Sequence, residues 1–452
     1  MTLHPVIDAL RNSLESAPPG APLLVAFSGG MDSHVLLHGL CGLCPATGSR
    51  GLRAAHVNHG LHPSASAWEA HCQSICSGLG VPLEVIRVVV SDADSRGMEA
   101  AARKSRYRAF AEILGEDEIL CLAHHLDDQA ETFLLQLLRG AGPKGLSAMP
   151  AYAAFASGGL LRPFLNVPRS AIRSYAERCA LQWVEDPGNL DMRFDRNYLR
   201  HEILPLLRAR WPGAMRTIAR AAGHQAAVSR AAAALGDAAS AGAAGEVADT
   251  LDCASLAALD RGVAALAVRA WLGRQGFAPP PAERMARIFD EVIGAREDAS
   301  PRVDWCGVEV RRYRGQLYAM VPLARPERGT SRPWNFRVPL EFSHGRLEAT
   351  RVTGSGLDAE RCAQGMVEVR FRRGGERCRP SGEKRSSPLK HWFHQRGIPP
   401  WERDRIPLIY VDAELAAVAG AWVCAGFEPA PDTPGWLLHW RPHASPTSAA
   451  GV

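Results

Sequence analysis

Leu23-Leu24-Val25-Ala26-Phe27-Ser28-Gly29-Gly30-Met31-Asp32-Ser33 is an apolar run that feeds a Ser-Gly-Gly turn and then opens a helical pattern. The run predicts a buried strand, and the two glycines leave the following backbone uncovered and free in φ. A strand-to-helix turn of this kind presents N–H groups and a helix N-terminus, the arrangement that holds a phosphate. A tight βα turn with serine as the helix cap explains Ser-Gly-Gly alone equally well. Asp32 and Ser33 add what a cap does not need: a carboxylate placed to help hold Mg²⁺ beside phosphate oxygens, and a second hydroxyl.

Outward from this turn the same alternation repeats. Strand-like runs at Pro22 to Ser28, Leu52 to Asn58, Leu83 to Val90 and Ile119 to His124 are each followed by a helical pattern, at Ser33 to Cys41, Ser66 to Leu79, Glu99 to Leu114 and Asp127 to Arg139. Such a βαβα order predicts an α/β fold with a doubly wound, mostly parallel sheet, whose ligands sit at the carboxyl ends of the strands. The polar clusters fall at those ends. His56 and Asn58 close the second run and are expected to line a nucleotide site. Arg103 and Arg106 lie on the third helix, where Glu99 and Arg103 also have the spacing of a surface ion pair. His124-His125-Leu126-Asp127-Asp128-Gln129-Ala130-Glu131 follows the fourth run. There Asp128 is expected to complete a metal site with Asp32, and His125 to assist proton transfer.

Beyond Arg162 the chain becomes arginine-rich, and Thr217 to Ala278 is an alanine-dominated helical stretch. Strand-like pieces follow at Arg302 to Val310 and Arg312 to Val321, then a Pro- and Arg-rich linker at Pro322 to Pro333. The organisation expected is a catalytic domain over 1–216, a mostly helical connector over 217–333, and a small α+β domain over 334–452. Charge is unevenly spread along it: residues 1–150 carry a net −4, residues 151–230 a net +6 and residues 361–410 a net +7. Two basic blocks beyond an acidic one point to a polyanion lying across several domains, although a solvated basic face explains either block alone.

Other chemistries find little support. No Gly-Lys pair occurs, so a Walker A loop is absent. Gly140 to Gly145 spells G-x-G-x-x-G, but after a helix, where a dinucleotide fold has no use for it. H-E-x-x-H zinc spacing is missing, and the Cys41/Cys44 pair has no second pair to match it. The 11 cysteines in 452 residues are too sparse for a disulfide scaffold, no apolar stretch is long enough to span a membrane, and no export signal opens the chain. A cytoplasmic protein is expected.

Ser28 to Ser33 meets in full the S-G-G-x-D-S signature of the PP-loop, or N-type ATP pyrophosphatase, family, which this chain resembles. The resemblance implies ATP cleavage between the α- and β-phosphates, with Ser28, Gly29, Gly30, Met31, Asp32, Ser33, His56 and Asn58 at the nucleotide, and Asp32, Arg103, His125 and Asp128 as the catalytic group. Within that superfamily the strings H-V-N-H-G-L at 56–61, E-A-A-A-R at 99–103, H-H-L-D-D-Q-A-E-T at 124–132 and R-G-A-G-P-K-G-L-S-A-M at 139–149 resemble the tRNA(Ile)-lysidine synthase family. So do E-D-P-G-N at 185–189, D-R-N-Y-L-R at 195–200, F-R-R-G-G-E-R at 371–377 and L-K-H-W-F-H-Q-R-G-I-P-P-W-E-R-D-R at 389–405, so that the likeness covers nearly the whole chain. This resemblance implies ATP and Mg²⁺ as requirements, free L-lysine and an isoleucine tRNA with a CAU anticodon as substrates, and tRNA contacts at Arg193, Arg196, Arg200, Arg372, Arg373, Arg377, Lys390 and Arg403. It implies no protein partner and leaves a homodimer open. Thr2 stands where glutamine-dependent asparagine synthesis needs a cysteine. A thiolating relative or a tRNA-binding protein without turnover are the alternatives, and intact Asp32, Arg103 and Asp128 argue against the second.

Overall fold

The computed structural model describes residues 4–43, 51–60, 62–88, 98–296, 299–323 and 331–443. Cys44, Leu61, the Glu99 side chain and the end of the third expected strand at 89–90 lie outside the described residues. Helix α1 (Pro5–Ser16) is capped by the His4 side chain and buries Val6, Leu10 and Leu14. The alternation that follows is β1 (Leu23–Ala26), α2 (Met31–Leu43), β2 (Leu52–Asn58), α3 (Ala65–Leu79), β3 (Leu83–Arg87), α4 (Met98–Ile113), β4 (Ile119–Cys121) and α5 (Leu126–Leu138). A short α6 (Pro143–Leu146), a hairpin of β5 (Tyr152–Phe155) and β6 (Gly158–Leu161), and α7 (Arg169–Arg178) complete it.

The six strands form one sheet in the order β3-β2-β1-β4-β6-β5, parallel except for the edge strand β5. Leu23, Leu24 and Val25 have no exposed surface, as a central strand covered on both faces requires. One face packs on α1, α2, α3 and α7 through residues such as Leu10, Leu36, Cys72 and Ile172. The other packs on α4 through Phe110 and Leu114, against Leu24, Leu120 and Leu160. Because β2 lies to one side of β1 and β4 to the other, the winding reverses between β1 and β4, and a crevice opens at their carboxyl ends. The doubly wound sheet expected from the sequence is therefore present, with its polar clusters at that crevice.

After α7 come α8 (Asp195–Tyr198), a π turn over Leu199–Ile203, α9 (Leu204–Arg210) and the long α10 (Ala214–Gly242). Two compact units meet inside α10, at Ala232/Ala233. The second unit holds two cores. The first packs helices Arg261–Arg274 and Ala282–Arg287 on a four-stranded antiparallel sheet that includes Val308–Tyr313 and Gln316–Met320. The second fills the space around two antiparallel sheets, of five and four strands, with Phe371, Trp392, Phe393 and Leu408.

Gly158 shows how closely the first sheet is packed at its far edge. A Cβ built there would lie 2.1 Å from the Glu118 carbonyl oxygen, a backbone atom that cannot swing away. Gly158→Ala is expected to destabilise the protein by roughly 1–3 kcal/mol in denaturant titration. An unchanged midpoint would mean that the β4–β6 edge is free to separate.

Candidate active site

The Ser28–Ser33 turn is organised by its own hydroxyls. Ser33 Oγ accepts from Ser28 N at 3.2 Å and donates to Gly30 O at 2.9 Å, while Gly30 N donates to Ser28 Oγ at 3.3 Å. Gly29 sits at φ +81°, and a Cβ there would come within 3.0 Å of Cys72 Sγ and 3.2 Å of Val184 Cγ2. Only glycine meets both demands without strain. Met31 is 5% exposed and packs into the core, so of the residues expected at the nucleotide it can offer only its backbone.

Asp32, at the start of α2, faces α5 across the crevice. Its Oδ2 lies 3.7 Å from His125 Nε2 and 4.0 Å from Arg169 Nε, while its buried Oδ1 has no hydrogen-bond partner. Burial raises its pKa, against the pull of His125 and Arg169. An unmatched buried carboxylate oxygen costs free energy unless something binds it.

His125 caps α5: its side chain accepts from Asp128 N, and Asp128 Oδ2 accepts from His125 N at 2.9 Å. Its Nε2 stands 3.3 Å from Asp128 Oδ2, and the residue is 2% exposed. With Nδ1 accepting, Nε2 is the nitrogen that donates, pointed at two carboxylates. Asp128 is further held by Arg196 Nη2 and Arg200 Nη2, each 3.0 Å from its Oδ1. Burial works to raise the Asp128 pKa, but His125, Arg196 and His124 outweigh it and hold the carboxylate well below the usual range. Glu131, one turn on and fully buried, accepts from Arg196 Nε at 2.7 Å and Arg200 Nε at 2.8 Å.

A cavity of about 480 Å³ opens above the carboxyl ends of β1, β2 and β4. Ala26, Ala55, Phe110 and Leu122 give it an apolar floor, while Ser28, Asp32, Ser33, His56, Asn58, Arg103, His124 and Asp128 give it polar walls. The expected site residues Ser28, Asp32, Ser33, His56, Asn58, Arg103 and Asp128 are thus brought together. His59, Trp68, His124 and Asp186 also line the cavity and are not among the residues expected there. His124 accepts from Arg162 Nε at 3.2 Å through Nδ1, and burial with nearby Arg162, Arg196 and Arg103 lowers its pKa to about 3.

A second cavity, of about 580 Å³, lies on the other side of α5. Asp127, Glu131, Arg169, Arg200, Arg208 and Arg216 line it, so neighbouring carboxylates of one helix serve two chambers, Asp128 the first and Asp127 the second. Asp127 pairs with Arg208, and its Oδ2 accepts from Arg169 N at 2.9 Å.

Family models match three stretches: the PP-loop domain over residues 5–207, a TilS substrate binding domain over 251–318 and a TilS substrate C-terminal domain over 367–440. A tRNA(Ile)-lysidine synthase of Coxiella burnetii is 42% identical over 421 residues, covering 92% of this chain and 93% of its own. The enzyme of that name from Methylococcus capsulatus is 39% identical, over 96% of this chain and 99% of its own. The chain belongs to the tRNA(Ile)-lysidine synthase family.

The arginines that resemblance to this family marks for tRNA divide into several environments. Arg193 is exposed and paired with Asp191 at 2.7 Å. Arg196 and Arg200 are not presented to solvent as a surface for RNA, since their guanidinium groups are committed to Asp128 and Glu131. In the C-terminal domain Arg373, Arg377 and Lys390 are exposed, while Arg372 is paired with Asp404 at 3.1 Å. Arg403 is 6% exposed and donates to Ile398 O at 2.8 Å and Tyr313 Oη at 3.3 Å. It joins two parts of the protein and does not reach out to a ligand. Trp401, two residues earlier, packs on Tyr313 and Tyr318 beside it.

The depressed pKa of His124 makes a pH prediction. The folded state keeps this ring neutral down to about pH 3, whereas the unfolded chain takes up the proton near 6.5. Its contribution is complete above pH 6.5 and is lost as pH falls from 6.5 toward 3, with a slope of up to about 1.4 kcal/mol per pH unit. His124→Asn, which keeps an acceptor for Arg162, is expected to flatten the acid limb of the stability–pH curve. Parallel wild-type and variant curves would show that His124 is not held neutral.

Proposed function

We propose that this protein ligates L-lysine to C2 of the cytidine at the first anticodon position of a CAU-anticodon isoleucine tRNA, through an O2-adenylated intermediate. Cytosine O2 attacks the α-phosphorus of ATP and pyrophosphate leaves. The lysine ε-amine then attacks C2, AMP departs with the former O2, and the amine gives up a proton. Adenylation is needed because C2 is a poor electrophile until its oxygen becomes a leaving group. Membership in the family over nearly the full length supports the overall reaction. The observation that carries the chemistry is the Ser28–Ser33 turn, facing a cavity with Asp32 Oδ1 unmatched at its edge.

In this reading the N–H groups at the α2 N-terminus, with the turn held in shape by its serine hydroxyls, grip the departing pyrophosphate, and the apolar floor receives adenine. Arg103, exposed at the cavity mouth, steadies the negative charge that builds on phosphorus. Mg²⁺ takes one or two carboxylates with phosphate oxygens and water, and Asp32 fits that role through Oδ1, neutralising phosphate charge. Asp128 would join it only by releasing an arginine or His125, because both of its oxygens are engaged. His125 is better suited to orient the two carboxylates than to take a proton from the amine, since both ring nitrogens already face partners. The neutral His124, on the cavity wall, offers an Nε2–H donor there.

The second cavity suits the amino acid. Arg169 matches an α-carboxylate, and Asp127 would match an α-ammonium by exchanging its pairing with Arg208. Lysine held there would approach from the far side of α5 to the nucleotide.

Incubation of the purified protein with ATP, Mg²⁺, labelled lysine and a CAU-anticodon isoleucine tRNA is expected to place label in the tRNA with release of AMP. The label should vanish when the target cytidine is replaced. ATP-dependent sulfur transfer, or binding without incorporation, would replace this reading with a thiolase or a binding protein. Asp32→Ala is expected to cut pyrophosphate release by at least about 100-fold if it removes the ion that neutralises the phosphates; near-normal release would remove Asp32 from the reaction.

The exposed Arg373, Arg377 and Lys390 are proposed to contact tRNA phosphates. Each alanine variant is expected to weaken tRNA binding across sequences and to lower the salt slope by about 1. An unchanged slope in the triple variant would place the tRNA elsewhere.

A further inference from the structure

The segment 186–201 turns several of its polar side chains inward. Arg196 and Arg200 reach into the protein toward Asp128 and Glu131. Asn197, buried, donates to Gly188 O and Asp191 O, both at 2.9 Å, and His201 Nε2 meets Asn189 O at 2.9 Å. Leu199 is buried, but three apolar residues of the segment lie on the outside: Leu190 is 69% exposed, Tyr198 49% and Met192 38%. A segment held this firmly has little reason to leave such side chains in water unless they meet something.

Its position says what. Asp186 lines the first cavity, and Arg200 and His201 line the second, so the segment runs from one chamber to the other. A nucleobase that reacts first with ATP and then with an amine must enter beside it, bringing its neighbours along the outer surface. We infer that Leu190, Met192 and Tyr198 form a platform on which unpaired nucleobases flanking the target cytidine stack. The inference rests on the proposed reaction and adds to it the contact by which the anticodon loop is held.

Unpaired bases offer bare π faces to aromatic and thioether side chains, while duplex RNA buries those faces in its own stack. The platform therefore prefers a loop to a stem and is indifferent to base identity, leaving choice of the cytidine to the cavity. Arg193, adjoining Met192, has a side chain 87% exposed and only a surface ion pair to leave, and so can turn to an RNA phosphate.

The test uses the full-length protein with Tyr198→Ala, Leu190→Ser, both together, and Tyr198→Phe as the conservative variant. Binding is measured for the tRNA, for its anticodon stem-loop, and for the same stem closed by a stable tetraloop, alongside ATP affinity, melting temperature and sedimentation. Tyr198→Ala is expected to weaken tRNA and stem-loop binding by roughly tenfold, the size of one lost stacked base. The double variant should lose more and Tyr198→Phe almost nothing, with ATP affinity and melting temperature unchanged and the tetraloop stem bound weakly by all. Wild-type affinity in the double variant overturns the platform. So does a wild-type dimer that the double variant splits without loss of tRNA affinity, which would make this face a subunit contact. A wild type that adds no lysine to tRNA yet binds the stem-loop through Tyr198 would sink the proposed reaction and keep the platform.

Discussion

Glu131 has no solvent-accessible surface and sits between the guanidinium groups of Arg196 and Arg200, which also share Asp128. Two carboxylates and two arginines taken out of water carry a large desolvation cost, and apolar residues of the same volume would often stabilise a fold at least as well. Losing any one partner would leave a charge uncompensated, at a cost of roughly 3–5 kcal/mol. The network fastens the 186–201 segment to α5. It keeps Asp128 ionised and holds the segment beside both cavities.

The rest of the site is an economy of backbone. Parallel strands deliver three turns to one edge of the sheet, and the reversal of winding between β1 and β4 keeps the space above them open. The Ser28–Ser33 turn supplies donors that need no reorganisation, because its serines already bond to one another and to Gly30. Helix α5 then divides the chemistry: Asp128 faces the nucleotide cavity, and Asp127 and Glu131 face the second. Adjacent residues can do this because successive positions on a helix project about 100° apart.

In the second unit the tryptophans and arginines of the 389–405 stretch are partly spent on cohesion. Trp401 lies edge-on to Tyr313 and Tyr318, with their ring centroids at 6.1 and 5.2 Å, and the Arg311 guanidinium lies 5.4 Å from the Trp401 ring. Arg314 bonds to the His394 carbonyl, and Arg403 is buried against Tyr313. A basic, aromatic sequence of this kind reads equally as an RNA contact or as a protein joint, since both use cation–π packing and planar stacking. The fold divides the residues between these uses: Trp401 and Arg403 go to the joint, while Lys390 stays on the surface.

Sequence by itself determined the alternation of strands and helices, the phosphate turn and the grouping of Ser28, Asp32, Ser33, His56, Asn58, Arg103 and Asp128 at one edge. Those follow from periodicity, from two glycines and from the rule that parallel strands present their ends together, all of which are local or topological. Family likeness was legible for the same reason, in short strings that keep their spacing. Tertiary structure alone decided which charges face water. Arg196 and Arg200 carry the same formal charge as Arg193, yet contact with Asp128 and with Glu131, the latter 65 and 69 residues away along the chain, turns them inward. The tautomer of His125, the neutrality of His124, the burial of Met31 and Arg403, and the second cavity behind α5 are likewise products of long-range packing. Burial and partner set the state of a charged group, and neither is written in the residues beside it.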